Sequence, residues 1–177
     1  MDIRKREARD AATVLGTHEL RFLDRPDTAL RADDASCAAL AEVLGSLRPE
    51  LVYLPFVYDL HEDHWQTNLV FAGAIARMEE NQLPSMRVRG YEVWTPLPAN
   101  CVADITEVMP LKREALGKFV SQSHDDDYVR IVEGLNTYRS IGPFAGRGFA
   151  EAFDEQSLSG YLRLVRAATL KYRAQSD

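Results

Sequence analysis

An α/β fold with a mostly parallel sheet is what this chain predicts, on three observations. Helical and strand-like hydrophobic patterns alternate along it. The run Leu51 to Leu54 is continuously apolar, as in a strand buried on both faces. The stretch Leu69 to Ile75 is apolar nearly all round, so the helix that carries it should pack deeply. The chain has 177 residues, enough for one well-buried domain and short for two. No internal repeat or long linker divides it, so residues 1–177 read as a single domain.

Taken in order, Ile3 to Leu15 has a helical pattern, with Gly16 as its stop. Glu19 to Leu23 is expected as a short strand, followed by a turn at Arg25-Pro26-Asp27. Ala35 to Leu47 is a second helix with Leu40, Val43, Leu44 and Leu47 on one face. The strand at Leu51 should end at Pro55, which cannot donate to a ladder, and open a loop over Phe56 to Asp63. A helix follows from about His64 to Met78. Ser85 to Trp94 and Cys101 to Ile105 are strand candidates. Helices are expected from about Met109 to Ser121, Tyr128 to Tyr138, and Leu158 to Tyr172. The last places Tyr161, Val165, Ala168 and Tyr172 on one stripe.

Composition excludes several classes. Hydrophobic residues make up 46% and charged residues 27%, the balance of a globular protein rather than a disordered one. The net charge of -6 argues against nucleic-acid binding, which wants a basic stripe. No apolar run approaches a membrane span, and the charged N-terminus is not a secretory signal, so the chain reads as soluble and cytoplasmic. Cys37 and Cys101 lack metal-site spacing. Cys37 continues the apolar face of its helix and reads as a buried reduced thiol. No GxGxxG follows a strand, which leaves a nucleotide-binding reading without support.

The chemistry concentrates in Asp59-Leu60-His61-Glu62-Asp63-His64. Two of the four histidines and three carboxylates fall within six residues, just past the carboxyl end of a buried strand. Open α/β sheets place ligands and catalytic groups there. Imidazole and carboxylate suit zinc or a similar divalent ion, and a carboxylate beside a histidine fixes its tautomer. A solvated loop capping the next helix, with Asp63 as N-cap, would show the same letters. His124-Asp125-Asp126-Asp127 also spells H-x-D-D, but it follows a helix and reads as an exposed acidic loop. His18 reads as a surface turn residue.

The segment from Leu54-Pro55 through Asp59 to His64 resembles the HPDH region of the LmbE-like, or PIG-L, zinc-dependent N-deacetylases. Further pieces lie in family order. Upstream are Arg4 to Ala8, Leu15-Gly16, Leu20 to Leu23 and Pro26-Asp27. Downstream come Gly90 to Pro96, Asp104 to Thr106, Lys112, Ser121-Gln122 and Ala150 to Phe153. The resemblance implies a three-layer α/β/α Rossmann-like fold and hydrolysis of an N-acetyl group from an amino sugar or its conjugate. It also implies a place in bacterial cell-surface glycan or glycoconjugate metabolism.

By the same resemblance, His64 is the expected zinc ligand, His61 the electrostatic or acid catalyst, and Asp63 the residue that orients His61. Arg4, Asp59, Glu92, Trp94 and Gln122 are the expected substrate-binding residues. Arg4 and Glu7, one helical turn apart, could equally form a surface ion pair. Tyr91, Glu92 and Trp94 could equally be a half-buried strand.

The family's HPDD motif should precede the helix at Ile3. The expectation is therefore that a strand-helix-strand unit is absent, taking with it two zinc ligands and the general base. One histidine does not make a catalytic zinc site, which normally needs three protein ligands. An incomplete sheet of this kind also favours self-association into a homo-oligomer. The alternative function is a non-catalytic paralogue that binds a sugar or a partner without turnover.

Overall fold

The computed structural model describes residues 3–79, 85–122 and 127–173. The elements are α1 (Ile3–Leu15), α2 (Asp34–Leu47), β1 (Leu51–Pro55), α3 (Glu62–Ile75), β2 (Arg87–Tyr91), β3 (Cys101–Asp104), α4 (Met109–Leu116), α5 (Tyr128–Arg139), α6 (Ile141–Phe144), β4 (Ala150–Ser157) and α7 (Leu158–Arg173). A short 3-10 turn, Val120–Gln122, follows α4. The expected His124-Asp125-Asp126 loop lies outside the described residues. No helix among the described residues is long and apolar enough to cross a membrane.

The strands form one sheet in the order β1-β2-β4-β3. The predicted parallel pairing is present between β1 and β2, with Leu51 opposite Arg87 and Pro55 opposite Tyr91. β4 joins β2 antiparallel, from Arg87–Ser157 to Tyr91–Phe153, so the sheet is mixed. The strand expected at Glu19 to Leu23 does not form. Its segment is irregular, and Leu20 and Leu23 stay exposed. Phe22 instead lies under the cationic ends of Lys5 and Arg9, 5.4 and 5.1 Å from its ring centre. Such cation–ring contacts hold the side chain without any backbone ladder.

The chain divides into two compact units. One runs to Phe22 and resumes over Val102–Glu151; the other holds Leu23–Cys101 and the chain from Ala152 on. In the first, α1 packs on α4 and α4 on α5. Buried Glu7 accepts from the backbone N–H and the hydroxyl of Ser121, at 2.7 and 2.6 Å. Lys112 bonds Asn136 and Glu151, and Asn136 donates to the Ala150 carbonyl. An apolar cavity of about 620 Å³ lies between α1 and α4, lined also by Leu20, Ile105 and Phe119.

The second unit carries the main core. Leu54, Phe56, Val57, Phe71, Val88, Tyr161 and Val165 bury their side chains together, where α3 and α7 cover the β1–β2 pair. α2 packs on α3. Asp33 caps α2 by accepting from Ser36 N–H at 2.7 Å. The two helices meet at Gly73, where an added Cβ would stand 2.5 Å from the buried Cys37 Sγ.

That contact gives a test of the packing. Gly73→Ala gains helix propensity of about 1 kcal/mol, but overpacking costs about 1–3 kcal/mol. The single variant should therefore melt lower than the parent in thermal denaturation. Adding Cys37→Ala should recover the loss; a Gly73→Ala protein that melts higher on its own would contradict this packing.

Candidate active site

The site grows from the end of β1. Phe56 and Val57 stay buried and anchor the loop that leaves the sheet, while Leu60 at its tip is exposed. The loop then enters α3, whose N-cap is His61 rather than the expected Asp63. His61 Nδ1 accepts from Asp63 N–H at 3.2 Å. Asp63 lies past the cap position, inside the helix, and its carboxylate is engaged elsewhere. It accepts from Thr28 N–H at 2.7 Å and Leu30 N–H at 3.2 Å. Thr28 sits at φ 60, a region that is costly for a β-branched residue, so Asp63 steadies a strained turn.

Asp59 is the hub. Its Oδ1 accepts from His61 N–H at 3.1 Å and from His64 Nδ1–H at 2.8 Å. Its Oδ2 accepts from Trp94 N–H at 2.8 Å and Thr95 N–H at 3.2 Å. Leu60 N–H closes the circuit by donating to Thr95 Oγ1 at 3.2 Å. Burial pushes the Asp59 carboxyl up, yet the hydrogen bonds from His61, His64 and Trp94 outweigh it and hold it below the usual carboxylate value. Burial, with Asp59's charge behind it, pushes the neighbouring Tyr91 phenol up, so that hydroxyl stays protonated.

One hydrogen bond to each ring sets its tautomer. An ionised Asp59 can only accept, so in the neutral ring the His64 proton sits on Nδ1 and the Nε2 lone pair is left available. His61 uses Nδ1 as an acceptor, so its neutral ring carries the proton on Nε2. The two rings are 4.7 Å apart with planes inclined by 34°. One ring thus offers a lone pair beside another that offers a donor.

The expected residues fall into two groups. His61, Asp63, His64, Asp59, Glu92 and Trp94 all lie in the second unit; Arg4 and Gln122 lie in the first, both exposed. Two expectations change. Asp59, taken as substrate-binding, has no exposed side-chain surface and four donors, so it serves the loop rather than a ligand. The carboxylate of Asp63, taken as the orienter of His61, is spent on Thr28 and Leu30, and Asp59 is the orienter of His64. Glu92 accepts from Leu97 N–H at 2.8 Å and shapes its own loop. Trp94 is 50% exposed, an aromatic face beside the Asp59 circuit. Val57, Tyr58, Asp59, Leu60, Trp65 and Lys171 wall a cavity of about 370 Å³, a volume within the range of small-molecule sites. Neither histidine lines it.

Sequence reasoning missed Asn68, fully buried on α3. Its signal was there: an amide set directly before the apolar run Leu69 to Ile75. The zinc expected from the resemblance does not fit the described residues. His64 offers one nitrogen, Asp59 is fully bonded, and among the described residues no three His, Cys, Asp or Glu side chains are placed to hold a metal.

Asp59 also fixes an acid response. A carboxyl held low in the fold contributes stability above its unfolded value, near pH 4, and loses it as pH falls through the folded value. Asp59→Asn should cost about 2–4 kcal/mol at pH 7. The gap to the parent should narrow by pH 3 in urea titrations. A gap that widens toward acid would contradict the assignment.

Comparisons with known proteins bear on the family and the fold. Residues 1–75, which include both histidines, match the family model PIG-L: GlcNAc-PI de-N-acetylase. The chain is similar to 4-oxalmesaconate hydratase of Pseudomonas putida, 28% identical over 89% of this chain and 66% of that protein. Among solved structures it resembles a conserved protein of Thermus thermophilus, with TM-score 0.74, 24% identity, and cover of 85% of this chain and 71% of the other. It also resembles N,N'-diacetylchitobiose deacetylase of Pyrococcus horikoshii, with TM-score 0.72, 23% identity, and cover of 88% and 63%. The 4-carboxy-2-hydroxymuconate hydratase GalB of Pseudomonas putida matches with TM-score 0.72, 26% identity, and cover of 87% and 71%. The chain thus spans just under two thirds of the curated relative. It carries a PIG-L domain match over residues 1–75 and shares the LmbE-like fold.

Proposed function

We propose that this chain carries the histidine part of a deacetylase-type hydrolase that removes an N-acetyl group from an amino sugar or sugar conjugate in the cytoplasm. The observation that carries the reading is the pair of ring hydrogen bonds, Asp63 N–H to His61 Nδ1 and His64 Nδ1 to Asp59, which assign Nε2–H to His61 and a bare Nε2 to a neutral His64. Amide hydrolysis needs a donor where charge develops on the carbonyl oxygen, and His61 supplies one. It also needs a proton for the departing amine, which the bare His64 Nε2 can take from the attacking water and hand on. Water adds to the acetyl carbon, the C–N bond breaks, and acetate and a free amine remain. His64 keeps its lone pair in the form a metal ligand or a general base requires, because Asp59 holds the other proton. Trp94 offers an aromatic face on which a sugar ring can stack.

The match of residues 1–75 to a de-N-acetylase model supports the reading. A second reading, addition of water to an unsaturated acid, is favoured by the hydratase that shares 28% identity over 89% of this chain. Both reactions add water, and a donor imidazole beside a bare one serves either.

The assay compares acetate release from N,N'-diacetylchitobiose with hydration of 4-oxalmesaconate, each with and without added zinc. Acetate release is expected, and His61→Ala and His64→Ala should each lower it about 10²–10⁴-fold. Acetate release that survives both substitutions would contradict the site. Hydration without acetate release would favour the second reading. Sugar binding with no turnover of either compound would favour the non-catalytic paralogue.

A further inference from the structure

Asn68 is a polar side chain in a place built for an apolar one. It is 0% exposed and meets Tyr161, itself 1% exposed and part of the core with Phe71 and Val57. Both of its N–H donors and its oxygen are engaged. Nδ2 donates to the Pro55 carbonyl at 3.1 Å and to the His64 carbonyl at 2.6 Å, and Oδ1 accepts from the Tyr161 hydroxyl. An amide buried with any of these unmet would be costly, whereas a leucine-like residue, with phenylalanine in place of Tyr161, would fill the same volume at little polar cost. The amide therefore does something that packing does not.

What it joins shows what that is. Pro55 is the last residue of β1, and His64 lies in the first turn of α3. Between them runs the loop that carries Asp59 and His61. One rigid amide thus grips both ends of the loop, fixing the gap that the Asp59–His64 hydrogen bond must span. Tyr161 fixes the grip in turn. Its hydroxyl donates to Oδ1, which keeps the NH₂ turned toward the two carbonyls; a flipped amide would set its oxygen against both of them. Burial and the nearby charge of Asp154 push the Tyr161 phenol well above its usual value, so it remains a donor.

We propose that Asn68, locked by Tyr161, is a positioning residue that sets the distance between Asp59 and His64 and so keeps the His64 proton on Nδ1. The proposal rests on the reading of His61 and His64 as the active site. Its test does not use turnover, so the two can fail separately.

The measurement is NMR of the full chain with ¹⁵N-labelled histidine. Tyr161→Phe keeps the ring and removes the donor. Asn68→Ser keeps a local bond to the His64 carbonyl but cannot reach Pro55. In either folded variant, the His64 Nδ1 proton should exchange with water roughly tenfold faster, as expected for a loosened hydrogen bond. The two His64 ring nitrogens should also move toward averaged tautomer shifts, while His18 stays as in the parent. His64 signals that match the parent in a folded variant would overturn the proposal. Loss of the fold in both variants would overturn it too, in favour of a purely structural role.

Discussion

Four donors converge on the Asp59 carboxylate, and the rest of the site follows from that convergence. Two come from its own loop and helix, His61 N–H and His64 Nδ1–H; two come from Trp94 and Thr95, some 35 residues on. A buried carboxylate with fewer partners would protonate and let go. With four, it stays charged, ties the loop after β1 to the loop after β2, and dictates which nitrogen of His64 carries the proton. β1 and β2 are neighbours in the sheet. Their parallel pairing brings both loops to the same end, where one carboxylate can reach both.

Asn68 acts one layer below. Asp59 fixes the loop from its middle, and Asn68 holds its two ends through Pro55 and His64. Asp63 adds a third tie, to the turn at Thr28 and Leu30. The exposed functional groups are thus few, while the polar groups that hold them are buried and fully bonded, the arrangement a precise site requires. The described residues supply this histidine pair and its support but not a set of metal ligands. The proposed deacetylase reading therefore draws on the family match over residues 1–75.

Much of this was legible in the sequence. The apolar run at Leu51, the all-round apolar stretch at Leu69 and the amphipathic stripe of Tyr161, Val165 and Ala168 each depend on local periodicity, which a sequence displays directly. The histidine cluster was legible because its members are adjacent. The division of labour among Asp59, Glu62 and Asp63 was not, since three similar carboxylates in five residues differ only in what distant segments bring to them. Trp94, Thr95, Thr28 and Leu30 decide it. β4 was missed because Ala150 to Ser157 is rich in acidic and polar residues and has little strand character of its own. It is a strand by virtue of its pairing with β2. Glu19 to Leu23 is the converse, a strand-like pattern that finds no ladder and leaves Leu20 and Leu23 exposed.

The central claim is that Asp59 and the Asp63 N–H hold the two imidazoles in opposite tautomers. Long-range ¹H–¹⁵N correlation of the histidine rings in the unaltered protein at neutral pH tests it most directly. The account predicts His64 protonated on Nδ1 with a bare Nε2, and His61 protonated on Nε2 with a bare Nδ1. His64 carrying its only proton on Nε2, or both rings in the same tautomer, would contradict it.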